Sequence, residues 1–163
     1  MDIENNPMIE LLAVTEPEFP AVLQQTIQGF ADECVAAGRW GITDAYDHAK
    51  NVIESDLPEG LKTPGNLFFH LVATSNLQKV GYLWLEILVK DNLPTVFIAD
   101  IEISAGFRRL GYASESFAAV EQLAKDKGIS RVCLHVFKHN EAAQALYKKL
   151  GFKTTGLNML KNL

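Results

Sequence analysis

The stretch Phe97-Ile98-Ala99-Asp100-Ile101-Glu102-Ile103-Ser104-Ala105-Gly106-Phe107-Arg108-Arg109-Leu110-Gly111-Tyr112-Ala113 decides the fold. An apolar run ends near Ser104, a short basic loop follows, and a helix opens at Gly111-x-Ala113. Asp100 and Glu102 alternate with Ile101 and Ile103, so both carboxylates share one strand face. The loop suits an anion, because amide groups converge at a helix N-terminus and the helix dipole favours negative charge there. Gly111 and Ala113 keep side chains out of the way, while Arg108 and Arg109 add charge-assisted hydrogen bonds. The same residues also read as a plain strand-to-helix turn with solvated arginines. The loop is too short for a P-loop, lacks its Lys-Ser/Thr, and is not GxGxxG.

Working outward, Gly111 to Lys127 reads as a helix, with Ala113, Phe117, Val120 and Ala124 at helical spacing and Gly128 as its stop. Arg131 to Phe137 is a strand, and Glu141 to Leu150 a helix capped by Asn140 and ended by Gly151. Phe152 to Leu160 predicts one or two short closing strands. Upstream, Leu67–Thr74, Val80–Val89 and Thr95–Ser104 are strands joined by links too short for crossovers, hence antiparallel. The N-terminal third predicts a strand over Ile9–Val14 and then a helix opened by a capping box at Thr15 and Glu18. That helix carries Phe19, Leu23, Ile27, Phe30, Cys34 and Val35 on one stripe and stops at Gly38. A second helix runs from Thr43 through Tyr46, Ala49, Val52 and Ile53 to a stop before Pro58, and Gly60 to Asn66 is a loop. The order β-α-α-β-β-β-α-β-α-β is that of an α+β domain whose segment 95–137 is a βαβ unit.

At 163 residues and 18.1 kDa the chain has the size of one domain, 1–163, and 48% hydrophobic content suffices for a core. A net charge of −5 argues against nucleic-acid binding, which needs a basic face. Residues 1–64 hold three basic and twelve acidic side chains, whereas residues 65–163 hold twelve basic and eight acidic. Met1 to Pro7 offers neither a basic n-region nor an apolar h-region. The greasiest run, Val80 to Val89, is too short and too polar for a bilayer, so no membrane partner is expected. Cys34 and Cys133 form no metal or CxxC spacing and predict reduced thiols in a cytoplasmic protein, and no metal site is expected.

A second signal stands downstream, in Leu134-His135-Val136-Phe137-Lys138-His139-Asn140-Glu141-Ala142-Ala143-Gln144-Ala145-Leu146-Tyr147-Lys148-Lys149-Leu150-Gly151-Phe152. Together the two stretches resemble the GNAT superfamily of acyl-CoA-dependent N-acetyltransferases. Arg108-x-x-Gly111-x-Ala113 meets its R/Q-x-x-G-x-G/A signature, with Ala113 for the commoner Gly. Asn140-x-x-Ala143-x-x-x-Tyr147-x-x-x-Gly151-Phe152 resembles its second hallmark. Gly156 to Lys161 is similar to the final strand of bacterial members. The likeness is close over 95–161; over 9–94 only the element order agrees. It implies a mixed, largely antiparallel sheet with splayed central strands, flanked by about four helices, and acetyl-CoA as co-substrate lying between the strands 95–104 and 131–137. The pyrophosphate would rest on the amides of Arg108, Arg109, Leu110, Gly111, Tyr112 and Ala113, reaching Ser114. The pantetheine arm would pair with the backbone at Ile101 and Ile103, the Ile101 amide polarising the thioester carbonyl. Asn140 would face the cofactor or merely cap its helix. Tyr147 matches the place of a general acid, and it can equally be an aromatic packed on the sheet.

The general base stays open between the pair Asp100 and Glu102, which would raise one another's pKa, and His135, on the predicted strand face of Cys133 and Phe137. His139 and His70 are weaker candidates, and Cys133 as an acyl carrier is weaker still. The resemblance implies transfer to a primary amine by direct attack in a ternary complex. The acidic first third leans towards a cationic small molecule or peptide. A non-catalytic acyl-CoA-sensing module is the alternative: it needs the Arg108 loop but neither Tyr147 nor the carboxylate pair. In this fold a sheet edge can also pair two copies into a homodimer.

Overall fold

Hydrophobic alternation gives way to continuous apolar runs in the middle of the chain, as it must in a sheet covered on both faces. Residues 7–163 are described by a computed structural model, and they form one five-stranded sheet in chain order. Strands β1 (Ile9–Ala13), β2 (Asn66–Ala73), β3 (Lys79–Lys90) and β4 (Leu93–Ile103) are antiparallel neighbours, and β5 (Val132–Leu134) runs parallel to β4. Asp91 and Asn92 close the β3–β4 hairpin with φ of 52° and 62°, a left-handed turn that such short polar residues accept.

Helices α1 (Phe19–Ala36) and α2 (Ala45–Asp56) cover one face, packing Phe19, Ile27, Ala49 and Ile53 on Phe68, Tyr82 and Trp84. Helices α3 (Tyr112–Asp126) and α4 (Glu141–Lys149) cover the other, where Phe117 and Val120 meet Leu71, Leu83, Leu85, Val96 and Ile98. Consecutive β3 residues therefore serve opposite cores. The fold is the α+β class the sequence predicts, with four helices and a parallel β4–α3–β5 crossover.

Four expectations are corrected. Phe152 to Leu160 forms no strand, since nothing among the described residues pairs with it and Leu157, Met159 and Leu160 are exposed. The strand expected over 131–137 shrinks to Val132–Leu134, because β4 offers a partner only from Val96 to Ile98. On α2 the buried stripe is Ala45, Ala49 and Ile53, while Tyr46 and Val52 are exposed. At the start of α1, Glu18 accepts hydrogen bonds from the Thr15 amide and hydroxyl, but Thr15 caps nothing and the helix begins at Phe19. The reading of Met1 to Asn6 as lacking leader features lies outside the described residues. Among the described residues no helix is long and apolar enough to cross a membrane, both cysteines are free, and no group of three metal-ligating side chains gathers.

Candidate active site

The site begins at a register fault. Trp84 pairs with Asp100 and Leu85 with Ile98, which leaves Ala99 without a partner, a β-bulge. Before it Val96 and Ile98 face the α3 core; after it Ile101 and Ile103 do, and Ala99 packs against the α1 core. The extra residue thus shifts the alternation by one and turns Asp100 and Glu102 towards α1. The β4–β5 pairing stops at Ile98 and Leu134, so beyond the bulge one edge of β4 is open. The Ser104 amide donates to Val80 O (2.8 Å), so alternation aims the Ile101 and Ile103 backbone groups at the open edge. The Ile103 carbonyl is already engaged by Arg108 Nε (2.9 Å).

A cleft of about 790 Å³ follows this edge. Gly29, Phe30, Asp32 and Glu33 of α1 and Asp56 of α2 line it on one side, and His135, Phe137, Asn140 and Tyr147 on the other. Among the described residues six carboxylates line it (Asp32, Glu33, Asp56, Glu86, Asp100 and Glu102), against Arg108 as the one Lys or Arg. Two floor features come from glycines. A Cβ on Gly81 would sit 1.9 Å from the Glu102 carbonyl, so β3 and β4 approach this closely only because position 81 is bare. A Cβ on Gly29 would lie 3.9 Å from Glu102 Oε2, so α1 leaves space above that carboxylate.

The Tyr82 hydroxyl donates to Asp100 Oδ2 at 2.7 Å and lies 3.4 Å from Glu102 Oε2. Burial pushes the Asp100 pKa up to about 6; the Tyr82 hydrogen bond and the Ile101 amide oppose this, and the charges of Glu102 and Glu33 add to it. Burial, then the Asp100 charge, pushes the Tyr82 phenol well above its ordinary value, so it stays protonated. Tyr147 is also raised, by burial first and then by Asp100 and Glu33. Its ring packs on Phe117 (5.4 Å between centroids) and Phe152 (5.9 Å), so a core aromatic reaches the cleft with its polar tip. His139 Nε2 is 2.9 Å from Glu33 Oε2 and ties the segment before α4 to α1.

At the far end, Ala105–Phe107 forms one 3-10 turn, and Arg109 and Gly111 adopt φ of 63° and 86°. No side chain caps α3, and a Cβ on Gly111 would meet nothing within 4 Å. Its first amides therefore face open space. The α4 N-terminus differs, since Asn140 Oδ1 accepts from the Ala143 amide at 3.2 Å.

The structure thus gathers Asp100, Ile101, Glu102, Ile103, Arg108, His135, Asn140 and Tyr147 around one cleft. Arg109, Leu110, Gly111, Tyr112, Ala113 and Ser114 form the adjoining loop and first turn of α3. His135 is not on a strand: β5 ends one residue earlier, and the ring is exposed against Phe137 at 5.0 Å. His70 lies away from the cleft, 3.4 Å from Glu18, and Cys133 does not line it. Tyr82, Gly29 and Glu33 escaped the sequence reading, because nothing local reveals which residues of α1 and β3 lie opposite Asp100 and Glu102.

An α+β sheet opened beside a bulged strand, with bare amides ahead of the following helix, is the arrangement that the resemblance to acyl-CoA-dependent transferases implies. The chain belongs to the Acetyltransferase (GNAT) family, whose model matches residues 33–152. It is an acyl-CoA N-acyltransferase of the N-acetyltransferase class, a family that uses acetyl-CoA as co-substrate. It is 36% identical to the uncharacterized N-acetyltransferase YycN of Bacillus subtilis (strain 168), over 95% of this chain and 99% of that one. It is 30% identical to the uncharacterized N-acetyltransferase YdgE of the same strain, over 92% and 95%. The crystal structure of YycN superposes with a TM-score of 0.88, covering 95% of this chain and 98% of that one at 35% identity. An aminoglycoside acetyltransferase from an uncultured soil metagenomic sample shares the fold alone, at 16% identity and a TM-score of 0.60 over 99% of each chain.

Proposed function

We propose that this single domain transfers an acetyl group from acetyl-CoA to a cationic primary amine, by direct attack within one cleft. The observation that carries the reading is the bulge at Ala99, which turns Asp100 and Glu102 into a cleft that also receives the open edge of β4. The residues fit the co-substrate: the uncapped α3 amides, the left-handed Gly111 and the clear space before it suit phosphate oxygens. Arg109 to Ser114 would hold that end, and the backbone of Ile101 and Ile103 would hold the arm. Bound acetyl-CoA supplies the acetyl group as a thioester.

The chain's own residues do the rest. The Asp100–Glu102 pair accepts the proton that an alkylammonium must lose before its nitrogen can attack. The six lining carboxylates hold and orient a positive acceptor, a small molecule or a peptide side chain. Tyr147 keeps a proton at its hydroxyl for the departing sulfur, and its raised pKa keeps that proton in place at neutral pH. Cys133 stands outside the cleft, which favours direct transfer over an acyl-enzyme. Asn140 caps α4 and also lines the cleft. A cytoplasmic setting, where acetyl-CoA is made and used, is part of the proposal.

The test is thiol release from acetyl-CoA with a panel of polyamines, amino sugars, amino acids and peptides. Turnover is expected with cationic amines and not with neutral or anionic ones. Acetyl-CoA binding without turnover on any amine would instead favour a sensing module. Gly111→Glu fills the bare space before α3 with bulk and negative charge, and is expected to abolish acetyl-CoA binding while the protein stays folded. Undiminished affinity would refute that placement.

A further inference from the structure

We infer that Tyr82, which lies outside both family motifs, is a positioning residue of the acceptor site: its hydroxyl holds Asp100 and thereby leaves Glu102 as the carboxylate that takes the proton from the acceptor ammonium. This rests on the reading of the cleft as the acceptor site.

Register creates the arrangement. Tyr82 pairs with Glu102 across the β3–β4 ladder, and Trp84 pairs with Asp100, so the phenol stands under both carboxylates. A phenol has one proton to give. At 2.7 Å it goes to Asp100 Oδ2, and Glu102 Oε2 at 3.4 Å receives none of comparable quality. The Tyr82 ring is only 4% exposed and lies in the core beneath α1, so its oxygen is held in place, nearer Asp100 than Glu102. Its raised pKa keeps it a donor across the working range.

Asp100 is the more constrained of the two acids. Tyr82 of β3, Glu102 of β4, Glu33 of α1 and Tyr147 of α4 are the ionisable groups that act on it or are acted on by it. The Ile101 amide helps to hold its carboxylate. Glu102 has no other hydrogen-bond donor among the described residues. Above it, Gly29 withholds the side chain that every other residue type would place on this side of α1. An ammonium entering there meets an oxygen with free lone pairs, while Asp100 stays anchored as a second negative charge. The anchored acid draws the cation and the free acid takes the proton.

The experiment pairs carbon-detected titration of side-chain carboxyls in the ligand-free protein with steady-state kinetics. It compares the wild type with Tyr82→Phe, Asp100→Asn, Glu102→Gln and the double variant Tyr82→Phe/Asp100→Asn. In Tyr82→Phe the Asp100 resonance should titrate roughly one pH unit higher, because the hydrogen bond favouring its charged form is gone. Turnover should fall about tenfold with acetyl-CoA affinity nearly unchanged, the size expected for one hydrogen bond to a charged group. Asp100→Asn should mask that loss in the double variant, and Glu102→Gln should cost more than Asp100→Asn. An unmoved Asp100 titration in Tyr82→Phe overturns the inference. So does a loss of turnover that Asp100→Asn fails to mask, which would report packing alone, or an Asp100→Asn that costs more than Glu102→Gln. If neither carboxylate variant changes turnover, the acceptor-site reading itself fails. If Glu102→Gln is slow while Tyr82→Phe matches the wild type in both measurements, only the role of Tyr82 fails.

Discussion

The two halves of β4 lie within a few residues of each other and live in different surroundings. From Val96 to Ile98 the strand is paired on both edges, and Val96 and Ile98 are buried, as is Thr95 just before them. From Asp100 to Ile103 it is paired on one edge only, and it turns two carboxylates into a cleft. The change happens at Ala99, one residue that the β3 ladder skips. A continuous strand would have put Asp100 and Glu102 on the same side as Val96 and Ile98, into the α3 core. The lesson is that a register fault of one residue turns two carboxylates out of an apolar core and into an open cleft, while the first half holds the second in place.

The largest expected effect breaks the structural half. Ile98→Ala removes a side chain that is 4% exposed and should destabilise the fold by about 2–5 kcal/mol, read from denaturant unfolding. Acetyl-CoA affinity at temperatures where the variant is folded should stay close to the wild type. Tyr147→Phe comes next and acts on the chemical half. It keeps the ring that packs on Phe117 and should slow turnover roughly a hundredfold without weakening acetyl-CoA binding, the low end of what a positioned acid contributes. Equal rates would remove that role.

Asp100→Asn is a subtler test, because it trades function for stability. Folded Asp100 titrates at about 6, above its ordinary 3.8, so the native state holds this proton more tightly than the unfolded chain does. Its stabilisation is full below pH 3.8 and is lost as pH rises through 6. The variant should therefore exceed the wild type in stability by about 3 kcal/mol above pH 6, and the gap should close near pH 4. Thermal unfolding across pH 4–8 checks this. Gly29→Ala is the smallest change. Mid-helix alanine should add about 0.5–1 kcal/mol to stability. A leucine at the same place should instead raise the acceptor KM by crowding the space above Glu102.

Much of this comparison was legible in the sequence. Gly111 and Ala113 mark the loop proposed to hold the anionic co-substrate because few other residues permit close approach there, and the alternation of Asp100 with Glu102 places both on one face whatever that face meets. Composition did not disclose which face. Ala99 looks like any strand residue, and only its lack of a partner shows the switch of core. Tyr82 is hidden for a related reason: on a strand buried on both sides it reads as one more core aromatic until the register sets it beneath Asp100. The closing strand at Phe152–Leu160 failed because a run of plausible residues still needs a neighbour, and β5 is three residues long. The charge division foreshadowed the site in part. Asp32, Glu33 and Asp56 of the acidic first third do reach the cleft, but so do Glu86, Asp100 and Glu102 of the basic remainder.

The most direct measurement is amine-dependent thiol release by the double variant Asp100→Asn/Glu102→Gln, with acetyl-CoA affinity taken by calorimetry on the same preparation. If the far half of β4 is the proton-accepting surface, turnover should fall at least a hundredfold while affinity stays within about twofold. Turnover at the wild-type rate would contradict that account, and so would a loss traced wholly to weaker acetyl-CoA binding.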